Sequence, residues 1–141
     1  MRTTTSNPLL RRLARDGFVM LAIAFVLLRL LAVPPWDRAI DAYAYWTTRD
    51  GTMYDGSTAG TLGAYLYSPA FAQVLGPLVA LAWPVFLALW TALLLIAYGW
   101  TAGLAAIPLL LFLPIPADLA TGNVHLLYAA AIVIGFRFPG A

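Results

Sequence analysis

The sequence has no cysteine, no lysine and no glutamate, and its charged residues are limited to eight arginines and six aspartates. Without cysteine the chain has no disulfide framework, no thiol nucleophile and no thiolate-ligated zinc. A net charge of +2 is too small for a nucleic-acid-binding domain, which needs a concentrated basic surface. Only 10% of the residues are charged, whereas soluble domains carry about 25%. This scarcity of charge also excludes an intrinsically disordered chain.

One stretch of the chain has no charged residue and no histidine at all. It covers residues 56–117, and 62% of the whole sequence is hydrophobic. A water-soluble fold cannot bury so long a run of apolar chain, so we expect lipid to surround much of the protein. The sequence therefore predicts an all-α, polytopic protein of the cell membrane. Using arginine and aspartate alone is typical of a GC-rich bacterial genome, which makes the bacterial inner membrane the expected location.

The first apolar run, residues 18–33, is predicted to be the first transmembrane helix. Arginines precede it, with Asp16 as their single counter-charge, at positions Arg2, Arg11, Arg12 and Arg15. Because positive residues stay on the cytoplasmic side, residues 1–17 are predicted to form a cytoplasmic N-terminus. A cleaved signal peptide is the alternative, but Pro34 and Pro35 directly follow the apolar run and no A-x-A site lies at the right place, so we favour an uncleaved anchor.

Arg29 lies near the outer end of this predicted span. A long cationic side chain there can snorkel, which means that it extends to the membrane interface while its stem stays in the apolar region. The alternative is that Arg29 faces an anionic lipid head group. Both interpretations place the guanidinium at the lipid surface.

Residues 34–70 are polar enough to form a long first external loop. This segment holds four of the six aspartates and five tyrosines, together with Trp36 and Trp46. The part from Asp37 to Asp50 contains no glycine or proline and is predicted to form a short juxtamembrane helix closed by Gly51. In such a helix Asp37 and Asp41 share a face, with Arg38 beside them.

The rest of the chain is apolar and broken by prolines and glycines. Residues 71–83 would extend about 20 Å as a helix, short of a hydrocarbon core about 30 Å thick. We therefore predict a short re-entrant or interfacial helix there, started by Ser68 and Pro69, and three further transmembrane helices within residues 85–141. A polar break near 118–125 then lies outside, beside the long loop, in a topology of four crossings. If residues 71–83 cross as well, there are five crossings.

Sugar chemistry suits the composition of the external loop. Tyrosine and tryptophan rings stack on the C–H faces of a pyranose, and a carboxylate can remove a proton from a sugar hydroxyl. Asp41 is the best candidate base because Tyr43, Tyr45 and Trp46 follow it closely. The alternative is that these rings form an interfacial aromatic belt and that Asp41 pairs with Arg38.

A series of motifs in this loop and beyond it resembles a known family. The matching residues are Asp41-Ala-Tyr43-Ala-Tyr45-Trp46, Tyr54-Asp55, Tyr65-Leu-Tyr67-Ser-Pro69-Ala-Phe71, Pro77-Leu, Trp83-Pro84, and Gly122-Asn123 with His125. In this order they resemble glycosyltransferase family 87, a GT-C membrane family that includes polyprenol-phosphate-mannose-dependent α-mannosyltransferases of actinobacteria. The resemblance runs from about Phe18 onward. Family members are much longer, so the chain resembles their N-terminal portion.

The resemblance implies a reaction on the outer face of the membrane. A polyprenyl-phosphate-linked donor would give its hexosyl unit, a mannosyl unit in the family, to a hydroxyl of a lipid or glycan acceptor. The role of general base falls on Asp41, with Asp37 as the fallback. Substrate-binding residues would be Arg38, Tyr43, Tyr45, Trp46, Tyr67, Asn123 and His125, with Arg38, Arg49 or His125 compensating the charge of the leaving phosphate.

Other interpretations of these residues remain open. Asn123 can be a simple helix cap, His125 a polar residue between helices, and Tyr67 part of the start of the short helix. Asp118 and His125 are too few for a metal site, so no metal or other cofactor is expected. The missing C-terminal part of the enzyme is an expected partner, besides the membrane lipid. The alternative functions are a small membrane transport or structural protein, and a catalytically silent fragment.

Overall fold

The computed structural model describes residues 7–33, 39–50, 53–54, 58–61 and 63–138. Within these ranges every regular element is a helix, which confirms the predicted all-α class. The α-helices are α1 (Pro8–Arg29), α2 (Ile40–Trp46), α3 (Pro69–Val79), α4 (Trp83–Ala102), α5 (Ala106–Leu109), α6 (Pro114–Thr121) and α7 (His125–Arg137). Short 3-10 helices follow α2 and α4, at Thr47–Asp50 and Gly103–Ala105.

Helix α1 begins earlier and ends earlier than the predicted first span. The Asn7 side chain accepts a hydrogen bond from the Leu9 amide at 3.0 Å, and Pro8 occupies the first turn. Since no breaker follows, the arginines at 11, 12 and 15 belong to the same 22-residue helix as the apolar run. The predicted boundary at residue 18 is therefore not a structural boundary, and the helix stops at Arg29 instead of residue 33.

Only part of the predicted membrane topology is supported. Among the described residues one helical segment, Trp83–Leu109 with 27 residues, is by itself long and apolar enough to cross a membrane. The pair α6 and α7 passes the same criterion together, but it is bent by 115° at the break between them. One crossing, or two if that pair is a single broken span, is the count that length and composition support. Four crossings are not confirmed, because prolines and glycines divide the C-terminal half into short helices.

Helix α3 is the predicted short apolar helix with corrected ends. The Ser68 hydroxyl accepts from the Phe71 amide at 3.4 Å, and Pro69 is the first helical residue, as the sequence predicts. Its 11 residues extend about 16 Å, too little to cross a hydrocarbon core. Residue 83 does not belong to it. Trp83 starts α4, with Pro84 in the first turn.

The core is arranged around α4, which packs against α1 and α7 along its length. Phe18 of α1 lies edge-on to Tyr98, with ring centroids 5.8 Å apart, and the Tyr98 hydroxyl donates to the carbonyl of Ala106. At the opposite end of α4, Trp90 donates to the carbonyl of Gly122 at 2.7 Å. The bundle thus has a basic end, carrying Arg11, Arg12, Arg15 and Arg137, and a polar end, formed by α2 and residues 118–125.

Arg29 neither snorkels nor faces a lipid head group, which corrects both interpretations of its position. The side chain is only 6% exposed and donates to the carbonyls of Leu119 at 3.0 Å and Ala120 at 2.8 Å. These carbonyls end α6, where the helix has no intrahelical partners for them and where a cation is favoured. Arg29 therefore ties the end of α1 to the polar end of the bundle.

We expect Arg29→Leu to destabilise the protein markedly. Leucine fills part of the space but leaves the Leu119 and Ala120 carbonyls without this donor, at about 1–3 kcal/mol for each buried group left unsatisfied. Thermal unfolding in detergent measures the loss. Arg12→Leu is the matched control, because Arg12 is exposed on the same helix and its loss should stay within about 0.5 kcal/mol. Equal losses in both variants would contradict the role given to Arg29.

Candidate functional site at the polar end

The candidate site is centred on Asp41, in the first turn of α2. Its carboxylate is half-buried, and its Oδ2 accepts a hydrogen bond from the side-chain amide of Asn123 at 3.0 Å. The two residues are 82 positions apart in the sequence. The structure therefore brings together the two segments that the sequence singled out, the loop carboxylate and the polar break after α6.

Gly122 determines how the polar break reaches Asp41. Its backbone has φ +74°, a left-handed conformation that ends α6, and the amides of Gly122 and Asn123 both donate to the Asp118 carbonyl at 2.9 Å. Ala42 packs so closely that a Cβ on Gly122 would lie 2.6 Å from the Ala42 Cβ. This close contact, together with the Trp90 bond to the Gly122 carbonyl, holds residue 123 beside α2.

Asn123 also has the capping role considered from the sequence, so its two roles coexist. Its Oδ1 accepts from the His125 amide at 3.3 Å, in the first turn of α7, while Nδ2 donates to Asp41. An asparagine amide has one acceptor end and one donor end, and here both are used. The orientation of the amide is thus determined at both ends, and the carboxylate of Asp41 is held by a side chain with little freedom.

A cleft of about 250 Å³ lies beside Asp41. Asp41 and Ala44 form one wall, from α2, and the glycine-containing loop that precedes α3 forms the other. Gly63 of this loop has φ +79° and lies under Tyr43, where an added Cβ would be 3.3 Å from the ring. The side chain of Asp41 therefore borders a cavity and is not fully exposed to solvent.

A cluster of aromatic rings, Tyr43, Trp46 and Trp83, packs beside α2 and does not line this cleft. Tyr43 lies edge-on to Trp83 at 5.5 Å, and Trp46 lies 5.5 Å from Trp83 and donates to the carbonyl of Leu81 at 2.9 Å. Trp83 is 3% exposed, so it belongs to the core. Tyr43 keeps partial exposure and remains able to present a ring edge or face, whereas the Arg49 guanidinium covers one face of the Trp46 ring.

Tyr45 is placed differently from the prediction that it contacts a sugar. It is completely buried, packed edge-on against Phe71 and Trp90, and its hydroxyl donates to the Tyr67 hydroxyl at 3.1 Å. Burial, and then the Tyr67 hydrogen bond, raise the pKa of Tyr45 well above its ordinary value. Tyr45 therefore anchors α2 to the core as a neutral residue. Tyr67 is half-buried at the edge of the same cluster.

Tyr65 has a comparable structural role in the segment before α3. Its hydroxyl donates to the Ser68 carbonyl at 2.7 Å, and burial raises the pKa of Tyr65 to about 12. Tyr54 lies next to it, with its hydroxyl 2.7 Å from the Tyr67 carbonyl. Tyr65 therefore stays protonated at neutral pH, and the hydroxyls of Tyr65 and Tyr54 hold the loop together through these carbonyl contacts.

The predicted cations are only partly described. Arg38 and the fallback base Asp37 lie outside the described residues. The Arg49 guanidinium stacks on the Trp46 ring, 3.5 Å from its centroid. His125 is exposed, with Nδ1 3.3 Å from Oδ1 of Asp118. In the described ranges no three histidine or aspartate side chains stand together as a metal site would require.

Sequence reasoning did not single out Trp90, and it did not foresee the contacts by which Arg29 and Gly122 build this site. The indole N–H of Trp90 was a usable signal, because a buried tryptophan generally finds a hydrogen-bond acceptor. A glycine directly before a polar residue between two apolar helices signals a left-handed helix end. Neither signal identifies the partner, since Trp90 and Gly122 are far apart along the chain.

We expect Asn123→Asp to destabilise the protein more at neutral pH than at pH 4. The substitution keeps an acceptor for the His125 amide but turns a donor into a carboxylate facing Asp41 at hydrogen-bond distance. Protonation of either carboxyl at low pH removes the repulsion and restores a donor. Asn123→Ala is the control: it loses the contact without adding charge, at about 1.5–3 kcal/mol, and its loss should differ less between the two pH values than that of Asn123→Asp. Unfolding midpoints in detergent measure both.

No family model matches this chain, and no curated protein or solved structure matches it significantly.

Proposed function

We propose that this chain is part of a membrane glycosyltransferase that uses a polyprenyl-phosphate-linked sugar. It would transfer a hexosyl unit, most simply mannosyl, to a hydroxyl of a lipid or glycan acceptor on the outer face of the membrane. The observation that carries the proposal is the Asp41 carboxylate, half-buried, bordering a cleft and held by Asn123. The family resemblance of the sequence motifs gives the proposal its substrate class.

Asp41 acts as the general base in this mechanism. The acceptor hydroxyl gives its proton to the carboxylate as its oxygen bonds to the anomeric carbon, and the bond from that carbon to the phosphate oxygen breaks. The sugar is transferred with inversion, and the polyprenyl phosphate leaves with the electron pair. Asn123 holds one carboxylate oxygen, so the rotamer is determined in advance while the other oxygen can receive the proton.

The surrounding residues supply binding and charge compensation. The half-buried ring of Tyr43 is suited to stack against a sugar face. The departing phosphate gains negative charge, which Arg49 or His125 can offset. The hydrogen bond between the hydroxyls of Tyr45 and Tyr67 joins α2 to the segment that precedes α3.

Transfer of labelled sugar is the direct test of this proposal. The protein that contains this chain is reconstituted in membranes with radiolabelled polyprenyl-phosphate mannose and with membrane lipid extract as acceptor. We expect label to move into the acceptor fraction, with free polyprenyl phosphate released in equal amount. Release of labelled sugar into water without an acceptor product, or no consumption of the donor at all, would contradict the proposal.

A further inference from the structure

The strongest feature outside the candidate site is a groove between α1 and α4. It has a volume of about 460 Å³, and apolar side chains line it, among them Ala22, Ile23, Val26 and Leu95. Phe18, Gly99 and Trp100 close its lower part, toward the basic end. Such a groove has the length and the polarity to accept part of a hydrocarbon chain.

A second cavity adjoins the groove at the basic end. It has a volume of about 380 Å³, and the side chains of Arg11, Arg12 and Arg15 line it. Phe18 and Gly99 line both cavities, so the two cavities are neighbours along the α1–α4 contact. They meet where the Phe18 ring fits over Gly99, at which an added Cβ would be 2.6 Å from the ring.

The charge at this end is one-sided. Arg137 adds a fourth guanidinium, 5.1 Å from the centroid of the Trp100 ring. Among the described residues at this end, Asp16 supplies a carboxylate, and it pairs with Arg15 at 2.9 Å. Arg11 and Arg12 are exposed and point their charge toward the same cavity. An anion bound there meets an excess of positive charge directly below an apolar groove.

We propose that the two cavities together form a binding site for an anionic phospholipid. The phosphate of the head group binds Arg11 and Arg12 in the basic cavity, and one acyl chain lies in the α1–α4 groove. The combination of the two halves carries this inference, since a cationic pocket alone would suit any anion and a groove alone any hydrocarbon. The site lies at the opposite end of the bundle from Asp41 and does not depend on the glycosyl transfer proposed above.

Native mass spectrometry of the full chain tests this proposal. The protein is released from detergent micelles that contain equal amounts of phosphatidylglycerol and phosphatidylcholine, and retained lipid is identified by mass. We expect the protein to retain several-fold more phosphatidylglycerol than phosphatidylcholine. An excess of inorganic phosphate should leave the phosphatidylglycerol bound. Equal retention of the two lipids would overturn the proposal, and so would displacement of the lipid by phosphate.

Two pairs of variants separate the head-group contact from the chain contact. Arg11→Gln with Arg12→Gln should remove the preference for phosphatidylglycerol, whereas lysine at both positions should keep it. Ile23→Trp fills the groove and should reduce retention of lipid several-fold. Leu21→Trp is its control, because Leu21 is similarly exposed on α1, 56% against 54% for Ile23, and does not line the groove. An unchanged preference in the glutamine variant, or equal retention by the two tryptophan variants, would refute the site.

Discussion

Replacing Asp41 by asparagine is expected to reduce sugar transfer by about 10²–10⁴-fold, the usual contribution of a general base. Asparagine has nearly the same shape, and its side-chain oxygen can still accept the hydrogen bond from Asn123. The fold should therefore survive while the proton acceptor is lost. The rate of transfer from labelled polyprenyl-phosphate mannose measures the loss, and donor binding should stay within a few-fold of the unmodified protein.

Asp16→Asn is the matched control for this experiment. It removes a carboxylate of the same type at the basic end, where Asp16 is exposed and paired with Arg15. Its transfer rate should equal that of the unmodified protein. If Asp41→Asn retains activity within a few-fold, Asp41 is not the base. If both variants lose activity equally, the effect is one of overall charge, and the mechanism proposed for the polar end fails.

The second large effect is expected from Gly122→Ala. The left-handed backbone at φ +74° disfavours alanine by about 1–2 kcal/mol. The new Cβ would also lie 2.6 Å from the Ala42 Cβ, an overlap that α2 can relieve only by moving, at about 1–3 kcal/mol. We expect a loss of stability near the sum of these terms. Transfer should be lost as well, because the movement separates Asp41 from Asn123.

Gly103→Ala measures backbone strain without a steric overlap, in a conformation (φ +55°, ψ −126°) different from that of Gly122 (φ +74°, ψ +32°). Gly103 also has a positive φ, +55°, but nothing lies within 4 Å of an added Cβ. Its cost should therefore be that of the backbone alone. In a double-mutant cycle, Ala42→Gly removes the opposing methyl group, so its combination with Gly122→Ala should lose less stability than the two single variants added together. Strictly additive losses would show that Ala42 and Gly122 do not press on each other.

Much of the fold follows from local sequence signals. Asn7-Pro8 and Ser68-Pro69 start α1 and α3, because an oxygen-bearing cap followed by proline satisfies a free amide and presets the helical φ. The short helix after residue 37 and the polar break after α6 were likewise predictable. These features depend on residues within one or two turns of each other, which is the range over which sequence patterns act.

Other features required contacts between distant segments. Arg29 lies at the end of an apolar helix, and its chemistry alone fits a membrane interface, yet it bonds carbonyls about 90 residues later. Tyr45 and Trp83 are residue types common at membrane interfaces, yet both are buried, because α3 and α4 pack against Tyr45 and α2 packs against Trp83. Sequence periodicity cannot separate a ring buried under a neighbouring helix from one that faces lipid.

By itself the sequence determined that the chain is helical and strongly apolar, that its charges are confined to a few positions, and that Asp41 stands among aromatic residues. Those properties belong to composition and to neighbours along the chain. Only the tertiary structure decided that Asn123 holds Asp41 and that Gly122 fits against Ala42. It likewise decided that the arginines of α1 line a basic cavity next to the apolar groove between α1 and α4. Each of these contacts joins segments tens of residues apart, and packing around α4 brings them together.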